Sequence, residues 1–359
     1  MATFLEAFTP KAIAMYWNQV QSNKIPYLGE GFFPNDKKMG LDLSWIKGHT
    51  GLPVSLMPSA FDAKATFRDR EGFSKTETEM PFFREGYKLK EKDRQDIIRL
   101  RENPNNAYME DILRRIYDDV GNLIEGARVV RERMRMALLF PASGNMTISF
   151  NANGVSYVYN YDPGNAWKGT NYFDITSTPT RKWSATSTAD PFVDIQTVKD
   201  AINATTGADL TIAILNSVTF NKLMKINAVK NRFLTKNGMN VAYLTKGEVA
   251  RVVEDTVGVR FVIYDKQYKD ESGTAHKFVP DDYVTLVPAG PLGKTWFGTT
   301  PEEADLMDGS HDVTLVDRGV AILRTVHEHP VGLNVFASEI VLPSFERMDE
   351  VAVMKVDAA

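Results

Sequence analysis

Apolar and polar residues repeat along this chain with two periods, and the switch between them divides it. From residue 106 to 140 the period is helical. Met109, Ile112, Ile116, Val120, Leu123, Ala127, Val130, Met134 and Leu138 recur every three or four positions and fall on one stripe. The opposite face carries Asp111, Arg114, Arg115, Asp118, Arg128, Arg131 and Arg135. Pro104 and Pro141 bracket the stretch where prolines are tolerated. At about 1.5 Å per residue such a helix spans roughly 50 Å, the dimension of a strut.

Elsewhere the period is two. Residues 60–68 alternate, with Phe61, Ala63, Ala65 and Phe67 on one side; 69–72 read as a turn ending in Gly72, and 74–79 return as an alternating strand. Residues 50–92 are therefore expected to form a long two-stranded excursion. Such a ribbon is marginal in water on its own and needs an outside surface to lie on; the alternative is a flexible surface loop. Residues 147–161 alternate again, with Asn153-Gly154 as a hairpin turn. Residues 162–191 are rich in Asp, Gly, Asn, Ser, Thr and Pro and read as a loop or linker. A mixed stretch follows. Helices are expected at 193–204, opened by Pro191 and closed near Gly207, and at 218–228 and 246–254. Strands are expected at 210–215, 259–264, 283–287, 312–315, 321–327 and 351–356.

The first 45 residues are aromatic, with Phe4, Phe8, Tyr16, Trp17, Tyr27, Phe32 and Phe33, and are broken by Pro10, Pro26 and Pro34. With little periodicity, this segment is expected to lie across its own body or a neighbour.

A length of 359 residues suggests about two domains and allows a sizeable core. A hydrophobic fraction of 43% and a charged fraction of 25% are ordinary for a globular protein. The net charge of -4 gives no support for tight nucleic-acid binding through the chain as a whole, although a local basic patch stays open. The absence of cysteine removes disulfides, thiolate nucleophiles and cysteine metal sites. The first twenty residues lack the basic start and apolar run of a signal peptide, and no uncharged apolar stretch is long enough to predict a transmembrane helix.

Few residues suggest chemistry. Gly290-Pro-Leu-Gly293-Lys294-Thr295 looks like half of a phosphate-binding loop, but Pro288 stands where the first glycine belongs, and a turn between strands is the plainer reading. His327 and His329 could face one way on a strand and hold zinc, yet their spacing is not that of a helical zinc motif and Pro330 follows, which favours a solvated strand end. The acid pairs Asp118-Asp119, Asp281-Asp282 and Glu302-Glu303 read as solvated turns and helix faces. Arg128, Arg131, Arg133 and Arg135 are expected to favour the helix dipole or to pair with a neighbouring subunit. No catalytic residue, cofactor-binding residue or metal ligand is predicted.

Several stretches resemble one family: Val54-Ser-Leu-Met-Pro58, Phe82-Phe-Arg-Glu-Gly-Tyr-Lys-Leu-Lys90, the Arg-rich helix, Gly258-Val-Arg-Phe-Val-Ile-Tyr264, Gln267-Tyr268, Gly273, Lys277-Phe-Val-Pro-Asp-Asp282 and Glu339-Ile-Val-Leu-Pro-Ser-Phe345. Together and in this order they resemble the tailed-phage major capsid proteins of the lambda-like capsid protein E family, which have the HK97-type fold.

That resemblance implies an α+β chain in which residues 1–49 are an N-terminal arm, 50–92 an extended E-loop hairpin, and 93–192 a P-domain around the spine helix 106–140. It further implies a mixed α/β A-domain at 193–305, P-domain return strands at 306–347, and a final A-domain strand at 348–359. The implied function is self-assembly, through hexamers and pentamers, into the icosahedral head that encloses double-stranded DNA. Inter-subunit contacts are then expected at Phe4, Phe8, Tyr16, Trp17, Phe32, Phe33, Arg68, Asp69, Arg70, Glu71, Phe73, Arg131 and Arg135. The expected partners are a scaffolding protein, a portal, a decoration protein and DNA held without sequence-specific binding, with no membrane. Assembly would take place in the host cytoplasm, and the product would be the virion capsid. Deleting residues 1–30 or 69–73 is expected to leave a soluble subunit that cannot close shells. The alternatives are an encapsulin-like protein-cargo compartment, a metal-dependent enzyme built on the His327 region, and a tail component.

Overall fold

The computed structural model describes residues 9–21, 27–47, 74–89, 95, 107–152, 154–237, 245–308, 313–317, 319–328 and 331–358. Helix α1 (Pro10–Gln21) and the single turn α2 (Gly29–Phe32) precede strands β1 (Asn35–Lys37) and β2 (Asp42–Lys47). Strands β3 (Ser74–Glu79) and β4 (Phe82–Leu89) lead to the long helix α3 (Ala107–Leu139). The hairpin β5 (Thr147–Ala152) and β6 (Val155–Asn160) is followed by α4 (Ala166–Asn171), β7 (Tyr172–Asp174), α5 (Pro191–Thr206) and β8 (Ile212–Leu215). Helices α6 (Ser217–Lys225), α7 (Asn227–Asn237) and α8 (Lys246–Val257) come next, then strands β9 (Arg260–Ile263), β10 (Gln267–Lys269), β11 (Ala275–Lys277), β12 (Tyr283–Val287) and β13 (Thr295–Phe297). Helix α9 (Pro301–Asp308) and strands β14 (Val313–Val316), β15 (Val320–Glu328), β16 (Val331–Pro343) and β17 (Ala352–Lys355) complete the order.

These elements form two compact units. The first takes residues 1–44, 77–134 and 293–344, and the second 45–76, 135–292 and 345–359. In the first, the sheet order is β1-β13-β16-β15-β14, with β4 also paired to β16. One face is covered by α1 and α3. Ile13 and Trp17, one helical turn apart on α1, pack with Ile124 of α3 against Val316, Ile322 and Val335. Strand β4 carries Gly86 directly opposite Phe336. A Cβ at Gly86 would lie 2.3 Å from that ring, so the position needs glycine for close approach rather than for backbone freedom.

The second unit is built on a five-stranded mixed sheet, β7-β17-β12-β8-β9. Strands β8 and β9 run parallel, and β12 is antiparallel to both β8 and β17. The core joins Trp183, Ile195, Phe220, Leu223, Val253 and Met354, all fully buried. The helix signals are local. Asp190 caps α5 by accepting from the N–H groups of Phe192 and Val193, and Gly207 closes it with φ 74°. Thr245 and Glu248 form a reciprocal capping box on α8. The last carbonyls of α3 need partners, and Thr285 Oγ1 supplies one by donating to Leu139 O at 2.6 Å.

The long helix runs where its period places it, but several expectations need correction. The aperiodic arm contains a true helix, α1, opened by Pro10 at its first position. Residues 162–191 are not a linker. Trp167 Nε1 donates to Met348 O at 2.8 Å, Asn171 Nδ2 donates to Asp349 O and Val351 O, and β7 joins the sheet parallel to β17. The turn-forming residues there serve as local caps, as when Asp162 accepts from Lys168 N–H. The helix expected at 218–228 is two, because Ile226 is extended (φ -71°, ψ 132°) between α6 and α7. Strand β3 pairs with β2, and residues 82–89 belong to the main sheet of the first unit through β16. The expected strand at 60–68 and the turn at 69–72 lie outside the described residues.

Candidate inter-subunit site

In the first unit, α3 is wired to four distant segments. Arg131, 3% exposed, donates through Nε to Glu339 Oε2 at 2.8 Å and through Nη1 to Asp317 Oδ2 at 3.2 Å. Its guanidinium also lies over the Phe297 ring, 4.6 Å from the centroid. Arg128 reaches the same Asp317 carboxylate at 3.3 Å. One turn away, Glu132 accepts from Gly29 N–H at 3.0 Å, and Glu125 accepts from the Tyr27 hydroxyl at 2.7 Å. Burial and that bond to Glu125 push the Tyr27 phenol well above its ordinary value. Asp317 sits in the left-handed region (φ 50°), which Asp tolerates better than most residues.

This network corrects the dipole reading of the arginine run. The last turn of α3 holds no basic residue, and Arg128 and Arg131 are occupied by acids of their own chain. The other named residues divide three ways. Trp17, Phe32 and Phe33 are buried, as is Arg135 in the second unit. Tyr16 is half-buried; its hydroxyl donates to Asp118 at 2.6 Å and its ring stacks on Tyr117. Phe4, Phe8, Arg68, Asp69, Arg70, Glu71 and Phe73 lie outside the described residues.

The remaining candidate chemistry falls into structural roles. Lys294 Nζ binds Asp36 at 2.7 Å, which holds the Asp36 carboxyl below its usual range, and Thr295 Oγ1 donates to Phe33 O. His327 lies on β15 opposite Gly332, and His329 is outside the described residues. Glu302 is not a solvated helix-face residue: it is buried, bonded to Ser338 Oγ at 2.7 Å and to Arg84 at 3.2 Å. Glu303 is buried too and pairs with Lys37. Asp282 is buried in the second unit, where Lys222 bridges it at 2.6 Å to Asp357 at 2.9 Å. Burial opposes the Lys222 charge, but the two carboxylates outweigh it and hold the ammonium above its ordinary value. Among the described residues no group of three His, Asp or Glu side chains could hold a metal, and no helix is long and apolar enough to cross a membrane.

Sequence reasoning did not single out Glu339, Asp317 or the Lys222 bridge. Glu339 did leave a trace, as a lone carboxylate inside the otherwise apolar run of β16. What the arrangement can do is mechanical: buried charge fixes the position of α3 against β16 and the 27–29 segment.

A family model described as phage major capsid protein E matches residues 9–356. Two solved structures have the same fold. One, from E. coli CFT073 and described as a prophage capsid protein, gives a TM-score of 0.60 at 12% identity, covering 97% of this chain and 99% of that one. The other, a phage-related protein from Bordetella bronchiseptica RB50, gives 0.55 at 10% identity, covering 97% of each. The fold is the HK97-type capsid fold. No curated protein matches the chain by sequence.

Proposed function

We propose, from the premise that the chain belongs to the phage major capsid protein E family and is a shell-forming capsid protein, that its copies close into the icosahedral head enclosing the double-stranded DNA of a tailed bacteriophage. The carrying observation is the family match, which runs almost from end to end. The role is structural, not enzymatic: the charged residues described above are spent on holding the fold. Hexamers and pentamers would form around a scaffolding protein and a portal in the host cytoplasm, with a decoration protein on the finished shell.

The division of the arm refines where neighbours touch. Trp17, Phe32 and Phe33 are already covered by their own unit. We infer that contacts across subunits fall instead to Phe4, Phe8, Arg68, Asp69, Arg70, Glu71 and Phe73, which lie outside the described residues. This also changes the useful deletion. Removing residues 1–30 would take Ile13 and Trp17 out of the core and Gly29 from Glu132, so it would damage the subunit itself. Deleting 1–8, or 69–73, is expected to leave a folded subunit that forms no closed shells when expressed with its scaffold. Negative-stain microscopy with circular dichroism checks this, and closed, regular heads from either deletion would refute it.

A further inference from the structure

Charge is unevenly spread along the chain. Residues 210–247 hold Lys222, Lys225, Lys230, Arg232, Lys236 and Lys246 and no carboxylate. Six of the chain's 42 cations lie here, which leaves 36 against all 46 carboxylates in the other 321 residues. The fold sets this segment beside another of the same kind. Residues 175–189 carry Arg181, Lys182 and eight Ser and Thr hydroxyls, again with no carboxylate. Asn227 N–H, at the start of α7, donates to Thr186 O at 2.8 Å, and the Arg232 guanidinium lies over Phe192, 4.9 Å from the ring centroid.

Lys225, Lys230 and Arg232 are exposed, as are Thr178, Thr180 and Ser187. Among the described residues, none of these three cations pairs with a carboxylate; Lys222, half-buried, is the one that does so twice. The acids at the start of α5 are already engaged. Asp190 caps α5, and Asp194 is buried under Arg181 and the Trp183 indole. Exposed cations without carboxylate partners among the described residues, beside a segment of hydroxyls, are a donor set that phosphate oxygens take.

We propose that this face of the second unit binds the sugar-phosphate backbone of double-stranded DNA without reading sequence, and is therefore turned to the interior of the shell. The inference rests on the DNA-enclosing reading above. With three phosphate contacts the binding is salt-sensitive, falling about 40-fold between roughly 50 and 200 mM salt.

The test uses the full-length, unassembled chain and a fluorescent mixed-sequence duplex of about 30 base pairs, followed by anisotropy over that salt range. The K225Q/K230Q/R232Q variant is compared with K11Q/K88Q/K269Q, which removes the same charge from exposed lysines elsewhere. The patch variant is expected to flatten the slope of log affinity against log salt by about 2 to 3, and the control by less than 1. If the triple variant misfolds, K230Q alone is expected to flatten it by about 0.9. Equal effects in both triple variants, or no duplex binding by the unsubstituted chain at about 50 mM salt, would overturn the proposal. So would a patch variant that binds DNA normally but no longer assembles with its scaffold, since the partner would then be an acidic protein. Failure of the unsubstituted chain to close shells sinks the capsid reading instead, so the two failures are distinguishable.

Discussion

The two units hold their helices to their sheets by different means. In the first, α3 is fixed by charge, with Arg131 on Glu339 and Asp317 and Glu132 on the Gly29 amide. In the second, α5, α6 and α8 lie on the sheet chiefly through Ile195, Phe220, Leu223 and Val253, with Lys222 of α6 adding a charged link to Asp282 and Asp357. Apolar burial is roughly proportional to area and carries no direction, so it stabilises without dictating register. A buried ion pair costs desolvation but demands one geometry. Ile124 gives α3 an apolar contact with the sheet, and the charged pins add one fixed geometry to it.

The largest effects test the contrast directly. Arg131→Met leaves Glu339, 1% exposed, without its guanidinium, and is expected to cost about 3–5 kcal/mol in denaturant unfolding. Adding Glu339→Leu should recover most of that loss, because the charge that needed a partner is gone. A double variant no more stable than the single one would show that the pair is not what fixes α3. In the second unit, Phe220→Ala is expected to cost a similar 3–5 kcal/mol, roughly, through cavity formation, with no single substitution restoring it.

The smallest effect concerns the end of the chain. Burial raises the Asp357 carboxyl, but hydrogen bonds from Lys222, the Ala358 amide and Ser184 outweigh it and leave it below its ordinary value. Its stabilisation is therefore complete above the unfolded value of about 3.9 and drains away as the pH falls through the folded one. Asp357→Asn should lower stability at neutral pH by about 1.5–3 kcal/mol, the worth of charged hydrogen bonds. The gap between variant and parent should close below about pH 4, as read by thermal melts across pH. A gap independent of pH would mean that shape, not charge, anchors the last strand.

What could be read from the sequence was what is encoded locally. The α3 helix spans enough turns for its stripe to declare itself, and α5 and α8 carry caps within a few residues of their ends. Helix α1 escaped because Ile13 and Trp17, which mark its buried face, stand amid prolines and scattered aromatics. The 162–191 stretch looked like a linker because the partners that order it, Met348, Asp349 and Val351, lie some 180 positions later. The same distance hid the charged site. Arg131 was visible as a cation, but Glu339 stands 208 residues away, and no period or spacing joins the two. The resemblance to capsid proteins supplied the fold; the residues that pin it had to be seen in place.

Strand β16 has a consequence for how such a subunit resists being pulled. Over residues 333–338 it is bonded along both edges, to β4 on one and β15 on the other, and beyond them it runs on to meet β13. Ladder bonds in antiparallel pairs stand perpendicular to the strand. A load applied along this strand must shear many bonds at once, whereas a load across its end could peel them one by one. Tension directed along residues 331–343 is therefore shared among the bonds on both edges of the strand.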